Sequence, residues 1–187
     1  MIIPRMREKD WIFFIDADER VIKTLESEIK RAIETESRYD GFYIPRDNFM
    51  FGGRVRYGTN ANDLQLRLIR KGRGKFQNLV HEHIELPGPA GMLKNHLVHE
   101  TYQTLDDYFK KFNLFTSLDA EELLRRGKKP TVFDLYLKPI LHFIYFYFFK
   151  LGFLDGKRGL LFQLLSAFYL YVKKAKAIEY FRRGKIT

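Results

Sequence analysis

The sequence predicts an α/β protein that passes, after residue 103, into a helical, basic and aromatic-rich tail. Three patterns carry that prediction. An apolar run, Trp11-Ile-Phe-Phe-Ile15, ends on Asp16-Ala-Asp18; an amphipathic stripe follows over residues 21–36; and Leu64-Gln-Leu-Arg-Leu68 alternates strictly. The first and third are strand signatures and the second is helical, so strand and helix alternate within residues 1–103.

Taken in order, the five apolar residues from Trp11 to Ile15 are rich in aromatic and β-branched types. They suit a strand covered on both faces, as in a parallel sheet. Asp16 and Asp18 emerge at its carboxyl end, where open α/β sheets bind ligands. Carboxylates at that spacing suit a hard divalent cation that grips phosphate oxygens in turn. The same spacing suits an Asp-rich turn before a helix, and the pattern leaves both readings open. From Val21 to about Glu36, Ile22, Leu25, Ile29 and Ile33 form one helical stripe. Phe42-Tyr43-Ile44 then predicts a short strand ending at Pro45, and Gly52-Gly53 the turn of a hairpin over Phe49–Tyr57. The alternation at 64–68 turns Leu inward and leaves Gln65 and Arg67 facing a cleft or solvent. After the basic turn Lys71–Lys75 come Val80-His81-Glu82-His83 and a short strand over Leu93–His99.

Thr104 and Asp107 match a capping box, which predicts a helix with Leu105, Tyr108, Phe112, Phe115 and Leu118 on one face, ending near Gly127. The helical region is therefore residues 104–187. Its clearest linker is the charged run Arg125–Lys129 before Pro130. Two apolar stretches follow, Leu135–Leu154 and Leu160–Val172, joined by Asp155-Gly-Lys-Arg-Gly159. Lys138 and Lys150 interrupt the first, and the second falls short of the roughly 20 residues of a membrane span.

The net charge of +10 is unevenly placed: residues 1–123 carry −1 and residues 124–187 carry +11. Basic and apolar together point to an anionic membrane surface rather than to nucleic acid, whose binders interleave charge with a few stacking aromatics. The expectation is a helical hairpin in the headgroup region with Lys150, Lys157, Arg158, Lys173, Lys174 and Lys176 on lipid; the rival is a soluble helical pair. The absence of cysteine excludes disulfides, thiolate metal sites and cysteine nucleophiles. No apolar secretory core follows the basic start, so the expected location is the cytoplasmic side.

Glu82, flanked by His81 and His83, suits a general base that takes a proton from an attacking hydroxyl, and equally a solvated cluster at a strand end. His99 reads either as a further ligand beside Asp18 or as a core histidine. A zinc site built from His81, His83, His96 and His99 is not expected, because no His-Glu-x-x-His helix is present. His142 lies on an aromatic helix face and reads as structural. Gly72-x-Gly74 opens no helix, so it is no phosphate loop.

The order of these features resembles family 2 glycosyltransferases, in particular the bacterial branch that adds hexoses to lipopolysaccharide core and related cell-envelope glycans. The residues carrying the resemblance are Trp11-Ile-Phe-Phe-Ile-Asp-Ala-Asp-Glu-Arg20, Tyr39-Asp-Gly-Phe-Tyr-Ile-Pro-Arg46, Leu64-Gln-Leu-Arg-Leu-Ile-Arg-Lys-Gly72, Val80-His-Glu-His83 and Leu151-Gly-Phe-Leu-Asp-Gly156. It implies the C-terminal half of a GT-A, Rossmann-like domain, with the Asp-x-Asp metal and diphosphate motif on Asp16 and Asp18. The base falls on Glu82, with Asp63 as second choice, and the late metal-binding histidine on His99. Arg67 and Arg70 could steer phosphate or acceptor anions. Further implications are Mg²⁺ or Mn²⁺, a nucleotide-sugar donor, a glycan or glycolipid acceptor, and the cytoplasmic face of the cytoplasmic membrane. The family also places half of the nucleotide-binding sheet ahead of the Asp-x-Asp strand, and only ten residues precede Trp11. No βαβ unit fits there, so the expectation is an N-terminally truncated enzyme. The rival readings are one half of a split enzyme and a non-catalytic membrane-interface remnant.

Overall fold

The computed structural model describes residues 11–35, 38–77 and 83–184. They fall into two compact units, the described residues up to Phe49 with those of Asn62–Thr101, and Met50–Ala61 with the described residues from Tyr102 onward.

The first unit is a sheet covered by a helix. Strand order is β1 (Trp11–Phe13), β5 (Leu64–Arg70), β3 (Gly41–Met50), β9 (Leu97–Tyr102) and β2 (Glu19–Arg20), and β8 (Ala90–Met92) runs parallel to β3. The expected parallel environment of the apolar run is corrected: Trp11, Ile12 and Phe13 pair antiparallel with Arg70, Ile69 and Leu68. A continuous apolar run lacks the period that separates one-sided from two-sided burial, so it could not decide strand direction. Helix α1 (Lys23–Thr35) presents three of the four residues of the expected stripe: Leu25 is fully buried with Phe13, Phe42, Ile44, Leu68 and Leu97, and Ile29 and Ile33 pack against them, whereas Ile22 precedes the helix and is exposed. Strand β3 does not stop at Pro45. It runs on to Met50, with Pro45 opposite Leu64 and the Arg46 amide donating to the Asp63 carbonyl at 2.9 Å. The missing proline N–H removes one ladder donor without ending the strand, and this extension carries Arg46 and Asn48 into the sheet. A separate ribbon pairs β6 (Lys75–Gln77) with β7 (His83–Glu85).

In the second unit, a turn at Phe51-Gly52, with φ of 50° and 75°, precedes β4 (Gly53–Val55). It lies one residue before the predicted Gly52-Gly53, and two positive φ values suit a primed hairpin turn. Helix α2 (Leu105–Arg125) starts at the predicted capping box: the Asp107 amide donates to the Thr104 hydroxyl oxygen, and the Thr104 amide to the Asp107 carboxylate, at 3.1 and 3.2 Å. Its inner face holds Tyr108, Phe112, Thr116, Asp119 and Ala120, whereas Leu105 and Phe115 are exposed. Phe112 stacks on Phe168 of α4 (Gly156–Arg182) at 5.4 Å. Beside this aromatic contact, buried Asp119 accepts from the Tyr169 hydroxyl at 2.9 Å and from Lys173 Nζ at 2.8 Å.

The first apolar stretch is α3 (Lys138–Ile144) between two π-helical turns, Phe133–Leu137 and Tyr145–Phe149. Leu151 then adopts a left-handed conformation, and the chain bends by 73° into α4. The break therefore precedes the predicted joint. The Leu151–Gly156 motif has a packing explanation. A Cβ on Gly159 would meet the Gly152 carbonyl at 2.0 Å, and the Asp155 carboxylate accepts from the Arg56 and Tyr57 amides at 3.0 and 2.9 Å. Among the described residues no single helix is long and apolar enough to cross a membrane, although the bent pair passes by length and composition.

Three of the six cations assigned to lipid serve the unit itself. Lys173 binds Asp119, Lys176 Nζ donates to Asn113, Thr116 and Ser117, and Arg158 Nε donates to the Phe51 carbonyl. A count of charges cannot distinguish a paired cation from a solvated one, which is why the sequence overstated the lipid-facing charge.

Candidate active site

Asp16 and Asp18 lie in the turn between β1 and β2, closed by the Glu19 amide on the Asp16 carbonyl at 3.1 Å. The β2–β9 ladder sets Glu19 opposite His99, and the Glu100 amide donates to the Asp18 carbonyl at 2.8 Å. The turn is thus fixed from both sides. Its centre is Glu19, whose side chain is fully buried and folds back to accept the Asp16 amide at 3.0 Å.

Around Glu19 runs a chain of alternating charge. Arg67 Nη2 donates to Glu19 Oε1 at 2.6 Å and to Asp16 Oδ2; Arg46 Nη1 reaches the same Glu19 oxygen at 3.3 Å. Arg46 also grips Asp63 with two bonds, Nε to Oδ2 at 2.9 Å and Nη2 to Oδ1 at 3.0 Å, a fork geometry that favours arginine. Asn48 and Gln65 each donate to Asp63 at 2.8 Å. Asn48 Oδ1 then lies 2.6 Å from His99 Nδ1, and His99 Nε2 lies 3.6 Å from Asp18 Oδ1. The circuit closes on the carboxylate pair where it began.

These contacts set the proton affinities. Burial pushes the Asp63 carboxyl up, but the Arg46 fork and the Asn48 and Gln65 amides outweigh it and hold Asp63 below its ordinary value of 3.8. Burial likewise acts to lower Arg67, and Glu19 and Asp16 overcome it and raise its affinity above the ordinary value.

The expected residues therefore meet different fates. Asp18 and His99 face one another across the turn. Asp16 is adjacent, but its carboxylate binds Arg67, and among the described residues no three His, Asp or Glu side chains gather as a metal set. The three-residue set of Asp16, Asp18 and His99 is thus not assembled in this structure. Asp18 and His99 fit a cation as a pair: carboxylate oxygen and imidazole nitrogen suit Mg²⁺ or Mn²⁺, which complete their shell with water and phosphate oxygens. Arg67 is only 14% exposed and is engaged by two carboxylates, so it braces the turn instead of projecting toward phosphate. Arg70 lies over the Trp11 ring at 5.1 Å. Asp63 is a bridging carboxylate with its oxygens in four side-chain bonds, poorly suited to accept a substrate proton. Glu82 lies outside the described residues. His96 binds Asp47 at 2.7 Å, and His142 binds Ser166 Oγ at 2.9 Å.

Sequence reasoning missed Glu19, Arg46, Asn48 and Gln65 as a group. A signal was present: Arg46 and Asn48 alternate on one strand, Gln65 and Arg67 on another, and alternation puts each pair on one sheet face.

An α/β unit with a strand-end carboxylate pair and a facing histidine is compatible with glycosyl transfer, and the chain is a relative of glycosyltransferases. It is 28% identical over 179 residues to the lipopolysaccharide core biosynthesis glycosyltransferase LpsC of Rhizobium meliloti (strain 1021), covering 88% of this chain and 65% of that protein. It is 26% identical over 184 residues to an uncharacterized glycosyltransferase of Rickettsia typhi, covering 91% of this chain and 62% of that protein. A further uncharacterized glycosyltransferase, of Rickettsia prowazekii, is 25% identical over 181 residues, covering 89% and 61%. The chain therefore spans slightly under two thirds of the length of these curated relatives. No family model matches it.

Proposed function

We propose that this chain carries the metal and acceptor side of an inverting, family 2 glycosyltransferase of GT-A type that moves a hexose from a nucleotide sugar to a glycan or glycolipid of the cell envelope. The observation that supports it most is the Asp16-Ala-Asp18 turn with His99 set against Asp18, in a chain that matches glycosyltransferases over about nine tenths of its length. Asp18 and His99 would hold Mg²⁺ or Mn²⁺, with Asp16 beside them. The cation would supply neutralisation of charge on the departing diphosphate. In this reading Glu82 takes the proton of the acceptor hydroxyl as its oxygen bonds to the anomeric carbon and the diphosphate leaves.

The test is sugar transfer from nucleotide sugars to core-glycan acceptors, measured in this chain and in a form extended to the relatives' full length. Glu82→Gln and Asp18→Asn should each lower kcat at least about 100-fold in whichever form is active. Transfer at the parental rate by both variants would refute the assignment.

We further propose that the second unit rests on an anionic membrane surface at the cytoplasmic face. Supporting this are the exposed rings and aliphatic side chains Phe133, Tyr136, Ile140, Phe148 and Phe149, with Phe149 74% exposed, and the exposed cations Lys150 and Lys157. Phe149→Ala removes about 2 kcal/mol of apolar transfer, so partitioning onto phosphatidylserine vesicles should fall roughly thirtyfold. Equal partitioning of the variant and the parent would refute lipid contact at Phe149.

A further inference from the structure

We propose that Asn48 is a positioning residue that fixes the tautomer of His99, so that Nε2 presents its lone pair toward Asp18; the inference rests on the reading of Asp18 and His99 as a cation pair. Asn48 is 2% exposed, and both ends of its amide are used. Which end points where follows from Asp63. That carboxylate is ionised beside Arg46 and can only accept, so it must face the NH₂ end of Asn48, and their contact is 2.8 Å. The carbonyl end then faces His99 Nδ1 at 2.6 Å. An amide oxygen only accepts, so a contact this short requires the proton on Nδ1. Thr101 Oγ1, 3.1 Å from the same nitrogen, can turn its hydroxyl proton away and accept as well.

A neutral imidazole with its proton on Nδ1 keeps its lone pair on Nε2, 3.5 Å from Thr101 Oγ1. That nitrogen faces Asp18 Oδ1 at 3.6 Å, longer than a hydrogen bond. Two acceptors then confront each other, an arrangement that a cation satisfies and a direct contact does not. The polar chain Arg46–Asp63–Asn48–His99 has the form of the outer partners that orient metal-ligating histidines, where a hydrogen bond at one ring nitrogen sets the ligating role of the other. Arg46 and Asp63 thus act on His99 through Asn48.

The test uses the 187-residue chain labelled with ¹⁵N-histidine, at a pH where the imidazole is neutral. Long-range ¹H–¹⁵N spectra should show His99 protonated at Nδ1 in the parent. In Asn48→Leu, which keeps most of the volume but neither accepts nor donates, the proton should move largely to Nε2, and Mn²⁺ affinity measured by electron paramagnetic resonance should weaken about 10–100-fold. Asp63→Asn, which frees the Asn48 amide to turn over, should mix the two tautomers. A parent His99 protonated at Nε2 would overturn the proposal without any variant, and so would an Asn48→Leu tautomer identical to the parent's. Lost tautomer control with Mn²⁺ affinity unchanged would overturn the positioning role alone. Parent protein that binds no Mn²⁺ would overturn the cation reading and, with it, the purpose assigned to Asn48.

Discussion

Glu19→Gln is the sharpest probe of the charge circuit, because the Glu19 carboxylate is buried and holds both arginines. The carboxylate accepts three bonds, from the Asp16 amide at 3.0 Å, Arg67 at 2.6 Å and Arg46 at 3.3 Å. Glutamine offers one carbonyl oxygen to these donors, and its NH₂ turns a further donor toward them. Two charge-assisted bonds, at about 1.5–3 kcal/mol each, are therefore at risk. Stranding a buried ion completely costs about 3–5 kcal/mol. Here Arg67 keeps Asp16 and Arg46 keeps Asp63, so the expected loss is smaller, about 2–3 kcal/mol. Trp11 is the sole tryptophan, its ring lies 5.6 Å from Phe42 in the core of the first unit, and its fluorescence reports that unit's unfolding in urea. With a urea slope of about 1–3 kcal/mol per molar, the midpoint should fall by about 1–2 M. Glu100→Gln is the control: its bond to Arg20 is exposed, and its loss should cost less than about 0.5 kcal/mol. If Glu19→Gln behaves like Glu100→Gln, Glu19 is not the anchor of the site.

Two further predictions concern the second unit. Gly58 has φ +67° and a Cβ there would meet Gln163 Nε2 at 2.2 Å, so Gly58→Ala should combine about 1–2 kcal/mol of left-handed strain with overpacking, about 2–4 kcal/mol in all. Gly52→Ala, at φ +75° with no atom within 4 Å, should cost only the strain, and helical circular dichroism during urea unfolding separates the two. Burial lowers the His142 proton affinity below its ordinary value of 6.5, so the neutral form is the one that folds. Its contribution is complete above that value and is lost as pH falls through the lower folded value. The helical unfolding midpoint should therefore decline as pH falls below the ordinary histidine value of 6.5, and His142→Gln should flatten that decline; a parallel decline in both proteins would refute it.

Local signals were legible wherever one strand or helix sufficed. The capping box at Thr104 and the α1 stripe from Leu25 to Ile33 rest on neighbours in sequence, and both are found in the structure. The β5 alternation is met only at the inner end, where Leu68 is buried; Leu64 is exposed and Arg67 is held in the charge circuit. Pairing was illegible for the same reason. Whether Trp11–Phe13 runs parallel or antiparallel depends on Leu68–Arg70, more than fifty residues away. The site divides along this line too. Asp16 and Asp18 announce themselves by spacing, and His99 by the family pattern, whereas Glu19 gains its importance only because two arginines from β3 and β5 converge on it. Lys173 and Lys176 show the converse: read along the chain they are lipid-facing charge, and in space they are the polar seam between α2 and α4.

The charge balance of the first unit's site explains why its structural and chemical roles coincide. Asp16, Asp18, Glu19 and Asp63 carry four negative charges, and Arg46 and Arg67 return two, leaving two negative charges among these carboxylates and arginines. The arginines are committed to the buried anions: both touch Glu19, and Arg46 forks onto Asp63. The balance therefore falls on the turn, where Asp16 is the more exposed carboxylate and Asp18 faces the histidine. In a chain of net charge +10, this turn is a place of locally opposite sign, and its deficit equals the charge of one divalent cation. Removing either arginine to open the site would deepen that deficit while unpairing Glu19, so Arg46→Leu and Arg67→Leu should lose stability before they gain any affinity for metal.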